Sequence, residues 1–181
     1  AYGENIMLGY HNLPEKTNET ITPDGGLRTG DLGHLDSEGY LYITGRVKEQ
    51  YKLDIGEYVA PAPLEETLKL SAYIDQVMIY GFNRPNNVAL IVAAMPAVEQ
   101  FAQNNGISGS GESLLNESSI RDLFREELSV YGKNFKSFEH PQNFALLAEE
   151  WSIENGLLTP TLKLKREVVE QKFKDQIESL Y

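Results

Sequence analysis

The chain of 181 residues is 41% hydrophobic with a formal net charge of -11, which is apolar enough for a packed core and too acidic for a general nucleic-acid or anionic-membrane binder, since phosphate contacts need a basic face. It has no cysteine, which excludes disulfides, thiolate metal sites and a cysteine nucleophile and permits a reducing compartment; His11, His34 and His140 are too scattered for metal spacing. The longest apolar run, Val88 to Val98, is interrupted by Pro96 and is shorter than the roughly 20 residues a membrane-spanning helix needs.

Residues 1 to 32 mix short apolar pieces such as Ile6-Met7-Leu8 with the turn-rich Pro23-Asp24-Gly25-Gly26, so loop and short strand without a core are expected there. Asp36-Ser37-Glu38-Gly39 is a good hairpin connection before the β-prone Tyr40-Leu41-Tyr42-Ile43, and predicts strands near 33–36 and 40–45. A second hairpin spans Lys52 to Val59. Prolines at 61 and 63 followed by Leu64, Thr67, Leu68 and Ser71 at helical spacing predict a helix from about Pro63 to Ser71. Ile74 to Phe82 and Val88 to Met95 are β-branched and apolar and read as a buried antiparallel pair. Ala97 to Asn105 should be a helix stopped by Gly106, and Ser108-Gly109-Ser110-Gly111 a flexible loop. Ile120, Leu123, Phe124, Leu128 and Tyr131 share one helical face, with Ser119 and Asp122 in capping-box spacing. Phe144 to Leu147 reads as a third strand, and Val169, Phe173, Ile177 and Leu180 as the face of a closing helix. The expected fold is α+β, a small domain from about residue 50 to 181 with a three-stranded, mainly antiparallel sheet and flanking helices, preceded by a β-hairpin. No internal repeat is evident.

Three stretches carry chemistry. In Gly45-Arg46-Val47-Lys48-Glu49-Gln50-Tyr51-Lys52, three cations leave the end of a strand, a costly clustering unless something anionic sits there; alone, such a run reads as a solvated turn. Upstream, Asp31 lies in Leu27-Arg28-Thr29-Gly30-Asp31-Leu32-Gly33, where small neighbours let a ligand approach and a carboxylate can accept two adjacent hydroxyls; alone, an aspartate between glycines is a turn former. Downstream stands Asn155-Gly156-Leu157-Leu158-Thr159-Pro160-Thr161-Leu162-Lys163-Leu164-Lys165-Arg166, which alone reads as a solvated basic helix start.

In that order and spacing the three stretches resemble the late motifs of the adenylate-forming ligases, and most closely the long-chain fatty-acid CoA ligases. The usual late motif reads Pro-Lys-Thr, a variable residue, Ser or Thr, Gly and Lys; here Thr159, Thr161 and Lys163 fall on its hydroxyl and lysine positions, and Leu162 replaces its glycine. Leu-Leu-Thr-Pro-Thr-Leu-Lys-Leu-Lys-Arg is the form usual in the long-chain ligases.

The resemblance implies that residues 1–47 are the end of a large N-terminal adenylation domain and 48–181 its C-terminal lid. It implies that Lys163 is the catalytic lysine, that Asp31 holds the ribose hydroxyls of ATP, that Arg46 contacts ribose and phosphate, and that Lys48 is the hinge. It further implies that Lys52 and the turn with Gly56 and Tyr58 face the nucleotide or the pantetheine thiol, although Leu53-Asp54-Ile55 is one residue longer than in shorter members. The implied reaction takes fatty acid and ATP to acyl-AMP and then to acyl-CoA. ATP, CoA and Mg are the implied cofactors, and no metal ligand is expected in this chain.

No Ser/Thr/Gly-rich phosphate loop ending in Pro-Lys-Gly and no Tyr-Gly-x-Thr-Glu stretch are present, so the piece is expected to be inactive alone and to partner the missing N-terminal domain. The expected location is cytoplasmic, with peripheral membrane association of the parent left open. The rivals are the lid of another adenylate-forming enzyme, luciferase-like or aryl-activating, and a non-enzymatic α+β binding module.

Overall fold

The computed structural model describes residues 1–181, which divide into two compact units, 1–50 and 51–181.

The first unit contains helix α1 (Pro14–Thr20) and strands β1 (Asp31–Leu35) and β2 (Leu41–Arg46), followed by a single 3-10 turn, Val47–Glu49. Helix α1 was not expected, because Pro14-Glu15-Lys16-Thr17-Asn18-Glu19-Thr20 has no apolar periodicity; none of its residues is buried, and proline occupies its first turn. Strands β1 and β2 pair antiparallel, Leu35 opposite Leu41 and Asp31 opposite Arg46, with a bulge between Leu32 and Gly33. Every buried hydrophobic residue of the chain lies at Leu53 or beyond, whereas Leu35, Leu41 and Ile43 of this hairpin are 59–67% exposed. A two-stranded ribbon has no second layer to cover them.

In the second unit, a short hairpin of β3 (Tyr51–Lys52) and β4 (Tyr58–Val59) precedes helix α2 (Pro61–Leu68) and strands β5 (Ile74–Tyr80) and β6 (Asn87–Ala93). Helices α3 (Met95–Asn104) and α4 (Ser118–Gly132), with a 3-10 segment Gly111–Asn116 between them, lead to β7 (Pro141–Leu147) and then to helices α5 (Arg166–Lys172) and α6 (Lys174–Glu178). The sheet order is β5-β6-β7, with β6 in the centre and buried along its whole length.

The fold is α+β as expected, and the sheet is mixed: β5–β6 is antiparallel while β6–β7 is parallel. A parallel neighbour needs a long crossover, and the segment carrying α3 and α4 provides it. Alternation then sorts the strands onto two cores. Val77, Ile79, Ala89, Ile91 and Phe144 pack with Leu64, Leu68, Val98, Ile120 and Phe124 of the α2–α4 layer, while Met78, Val88, Leu90, Val92 and Leu147 pack with Trp151, Leu157, Leu158, Val169 and Ile177.

Several boundaries differ from expectation for local reasons. Helix α2 ends at Leu68, and Ser71 instead accepts the Tyr73 N–H and donates to Glu127. Helix α3 begins at Met95 because Pro96 fits its first turn. Ser119 and Asp122 form no capping box, since α4 starts at Ser118; Asp122 pairs with Arg125, and a reciprocal box forms instead between Ser110 and Ser113. The closing helix breaks at Phe173, whose backbone leaves helical geometry and whose ring packs on Trp151 at 6.4 Å.

Two buried polar groups are fully engaged. Asn87 donates to the carbonyls of Phe138 and Glu139 and accepts the Tyr51 hydroxyl at 2.6 Å. Glu65 accepts the Ile79 N–H at 2.7 Å and pairs with Arg166.

Candidate active site

Lys163 sits in a hairpin of five-residue design. Leu158 and Leu164 form an antiparallel bridge, the Thr159 N–H donates to the Lys163 carbonyl at 2.8 Å, and the Leu162 N–H donates to the Thr159 carbonyl at 2.9 Å. The Lys163 N–H donates to Thr159 Oγ1 at 3.0 Å, and the two threonine hydroxyls, Thr159 and Thr161, lie 3.1 Å apart. Proline at 160 presets the first turn angle, and Leu162 takes a left-handed φ of 59°, which gives a type I turn with a bulge. Helix α5 starts only at Arg166, so Lys163 belongs to the turn and not to a helix start. Leu157 and Leu158 are buried in the second core and anchor the base, while residues 160–163 are exposed. The backbone of Lys163 is therefore fixed and its ammonium is free in solvent.

Asp31 and Arg46 meet across the β1–β2 ladder, Arg46 Nε lying 2.9 Å from Asp31 Oδ1. Sequence reasoning assigned both to one ribose clamp but did not foresee their direct contact; they are 15 positions apart, and the bulged register sets them opposite. The Asp31 side chain is 28% and that of Arg46 56% exposed, and their contact engages one carboxylate oxygen and one guanidinium nitrogen. That acceptor-and-donor set fits a vicinal diol such as ribose. Lys48 is exposed in the 3-10 turn, two residues before the boundary between the units.

Lys52 and Tyr58 pair across β3–β4, and the Lys52 ammonium lies 5.6 Å from the Tyr58 ring centroid. Gly56 closes this hairpin with φ 95°, a left-handed value that glycine adopts without strain. Its base is tied down by the Asn83 N–H to the Lys52 carbonyl and by the Asp54 N–H to the Arg84 carbonyl. Next to it, burial and the nearby Glu65 carboxylate push the Tyr51 phenol well above its ordinary range. No group of three or more His, Cys, Asp or Glu could hold a metal ion, and no helix is long and apolar enough to cross a membrane. The Glu65–Arg166 pair was not foreseen. A glutamate on the inward stripe of α2, beside Leu64 and Leu68, was the available signal.

The second unit is thus a small α+β domain with an exposed lysine on a threonine-braced hairpin, and the first unit carries an acid–guanidinium pair. Residues 48–110 match the family described as AMP-binding enzyme C-terminal domain. Over its length the chain is 28% identical, with a TM-score of 0.79, to the adenylation domain of a carboxylate reductase from Mycobacterium chelonae, covering 98% of this chain and 26% of that one. It is 25% identical, with a TM-score of 0.80, to the A domain of a carboxylic acid reductase from Segniliparus rugosus solved with AMP and a co-purified carboxylic acid, covering 99% of this chain and 27% of that one.

Among curated proteins the chain is similar to long-chain-fatty-acid–CoA ligases. It is 40% identical to ligase 5 of Rattus norvegicus, covering 99% of this chain and 27% of the rat protein. It is 36% identical to ligase 1 of Homo sapiens, covering 99% of this chain and 26% of the human protein. The chain thus spans about a quarter of the length of the relatives it matches.

Proposed function

We propose that this chain is the C-terminal part of a long-chain fatty-acid–CoA ligase, with residues 1–47 closing the large adenylation domain and 48–181 forming its lid. The observation that carries the reading is Lys163, a solvated ammonium on a residue whose backbone N–H and carbonyl are both hydrogen-bonded to Thr159. In the first half-reaction a fatty-acid carboxylate attacks the α-phosphorus of ATP, forming acyl-AMP and releasing pyrophosphate. Both reactants are anionic, and the Lys163 ammonium stabilises the charge that gathers between them. In the second, the CoA thiol attacks the acyl carbonyl, and AMP leaves.

Asp31 and Arg46 hold the ribose hydroxyls and phosphate oxygens, and Lys48 is the pivot on which the lid changes arrangement, solvated in either one. Lys52, Gly56 and Tyr58 line the path of nucleotide or pantetheine. Mg ligands and the acyl pocket belong to the remainder of the enzyme, so the chain alone is inactive. Similarity to carboxylate reductase adenylation domains supports a second reading with the same adenylation and a different acyl acceptor; dependence of product on CoA separates the two.

The test is Lys163→Ala in the intact enzyme. Acyl-adenylate formation should fall by about a hundredfold or more, the effect of losing one preorganised charge, while thioester formation from supplied acyl-adenylate persists. Equal loss in both half-reactions refutes the assignment.

A further inference from the structure

We propose that Glu65 and Arg166 are positioning residues for Lys163, a buried carboxylate and a partly buried guanidinium whose pairing sets the direction of the Lys163 hairpin; this rests on the proposed role of Lys163 in acyl adenylation. Arg166 is the first residue of α5, directly after Lys165, whose N–H closes the hairpin base on the Leu157 carbonyl at 2.9 Å. Its guanidinium reaches α2 and β5 together, Nη2 pairing with Glu65 Oε2 and Nη1 donating to the Ile79 carbonyl at 3.5 Å. Glu65, 6% exposed, accepts the Ile79 N–H on its other oxygen at 2.7 Å. Strand β5 is an edge strand, and at its open side a single residue, Ile79, has its N–H taken by the acid and its carbonyl by the base. The foot of the hairpin is thereby referenced to the sheet.

Besides this pair, the hairpin is anchored by burial of Leu157, Leu158 and the partly buried Leu164, and by the Leu157 and Leu158 N–H groups, which both donate to the Ser152 carbonyl within the same connecting segment. Apolar burial is non-directional: it fixes how deep the base sits but not how the arm is turned. A planar guanidinium bonded on two sides does fix orientation, and its alkyl stem is three residues from Lys163. A small misplacement of a catalytic group costs far more rate than stability. Arg166→Lys retains the bond from the Ile79 N–H to Glu65, so orientation can be separated from folding.

The experiment uses hydrogen exchange on the 181-residue chain and half-reaction kinetics on the intact enzyme, with Glu65→Met/Arg166→Met and, as a variant that keeps the charge and the Glu65–Ile79 bond, Arg166→Lys. The amides of Thr159, Lys163 and Lys165 should exchange at least about tenfold faster in both variants, while Ala89 and Ile91 in the central strand stay within about twofold. Parallel acceleration of the central strand, or no acceleration at the hairpin, overturns the proposal. In the intact enzyme, Arg166→Lys should lower acyl-adenylate formation by about tenfold or more and leave thioester formation from supplied acyl-adenylate within about twofold; equal loss in both overturns it. Lys163→Ala is measured alongside. If that variant shows no selective loss, the catalytic reading falls, whereas the exchange data judge the anchoring independently.

Discussion

Leu162 provides a sharp test of the turn that carries Lys163. Four five-residue turns in this chain close with the same two backbone bonds, Thr22–Gly26, Asp36–Tyr40, Leu53–Glu57 and Thr159–Lys163. The fourth residue of each is left-handed: Gly25 at φ 84°, Gly39 at 88°, Gly56 at 95°, and Leu162 at 59°. A left-handed backbone costs a residue with a Cβ about 1–2 kcal/mol, and glycine avoids that cost. Against this, glycine loses about 0.4–1 kcal/mol through the greater entropy of its unfolded chain. Leu162 is 70% exposed, so little burial is sacrificed on its removal.

Leu162→Gly should therefore stabilise the protein by about 0.5–1 kcal/mol, which at a urea slope of about 2 kcal/mol/M raises the unfolding midpoint by about 0.25–0.5 M. Leu162→Ala keeps the left-handed penalty and should stay within about 0.5 kcal/mol of the parent chain. Leu162→Val, β-branched at positive φ, should lose about 1 kcal/mol or more. Urea unfolding followed by circular dichroism ranks the four chains. A glycine variant less stable than the leucine chain, or a valine variant as stable as the alanine one, refutes the turn geometry.

Lys48 stands in a 3-10 turn, a conformation whose usual φ is close to that of proline, so Lys48→Pro should hold this backbone and freeze the pivot; in the intact enzyme one half-reaction should survive and the other fail, and normal overall turnover would show that position 48 does not pivot. Tyr51, pushed up by burial and by Glu65, contributes stability that is complete below the ordinary phenol value of about 10 and is lost as pH rises from there toward its folded value. Tyrosinate absorbance should therefore show a late cooperative step coincident with unfolding, smaller by one tyrosine in Tyr51→Phe; an unchanged step would place Tyr51 in solvent.

Much of this protein was determined by local sequence. Val88 to Ala93 read as a buried strand, because a β-branched, unbroken apolar run with solvent on neither face suits the centre of a sheet. Gly39 and Gly56 marked turns because only glycine enters left-handed backbone without strain. The motif around Lys163 was legible as residue types in order. Other features required the assembled fold. Whether β7 joined parallel or antiparallel was not written in Phe144-Ala145-Leu146-Leu147, since alternation reports which faces are buried and not the direction of the neighbour. Helix α1 lacked periodicity because it buries nothing. Asp31 and Arg46 were paired by a bulge that shifts the ladder by one residue, and Glu65 met Arg166, 101 positions away, through packing of α2 and α5 at one strand edge. Leu162 shows the division most directly: its chemistry argues against the conformation it takes, and the bridge of Leu158 to Leu164, held by the buried base of the hairpin, imposes it.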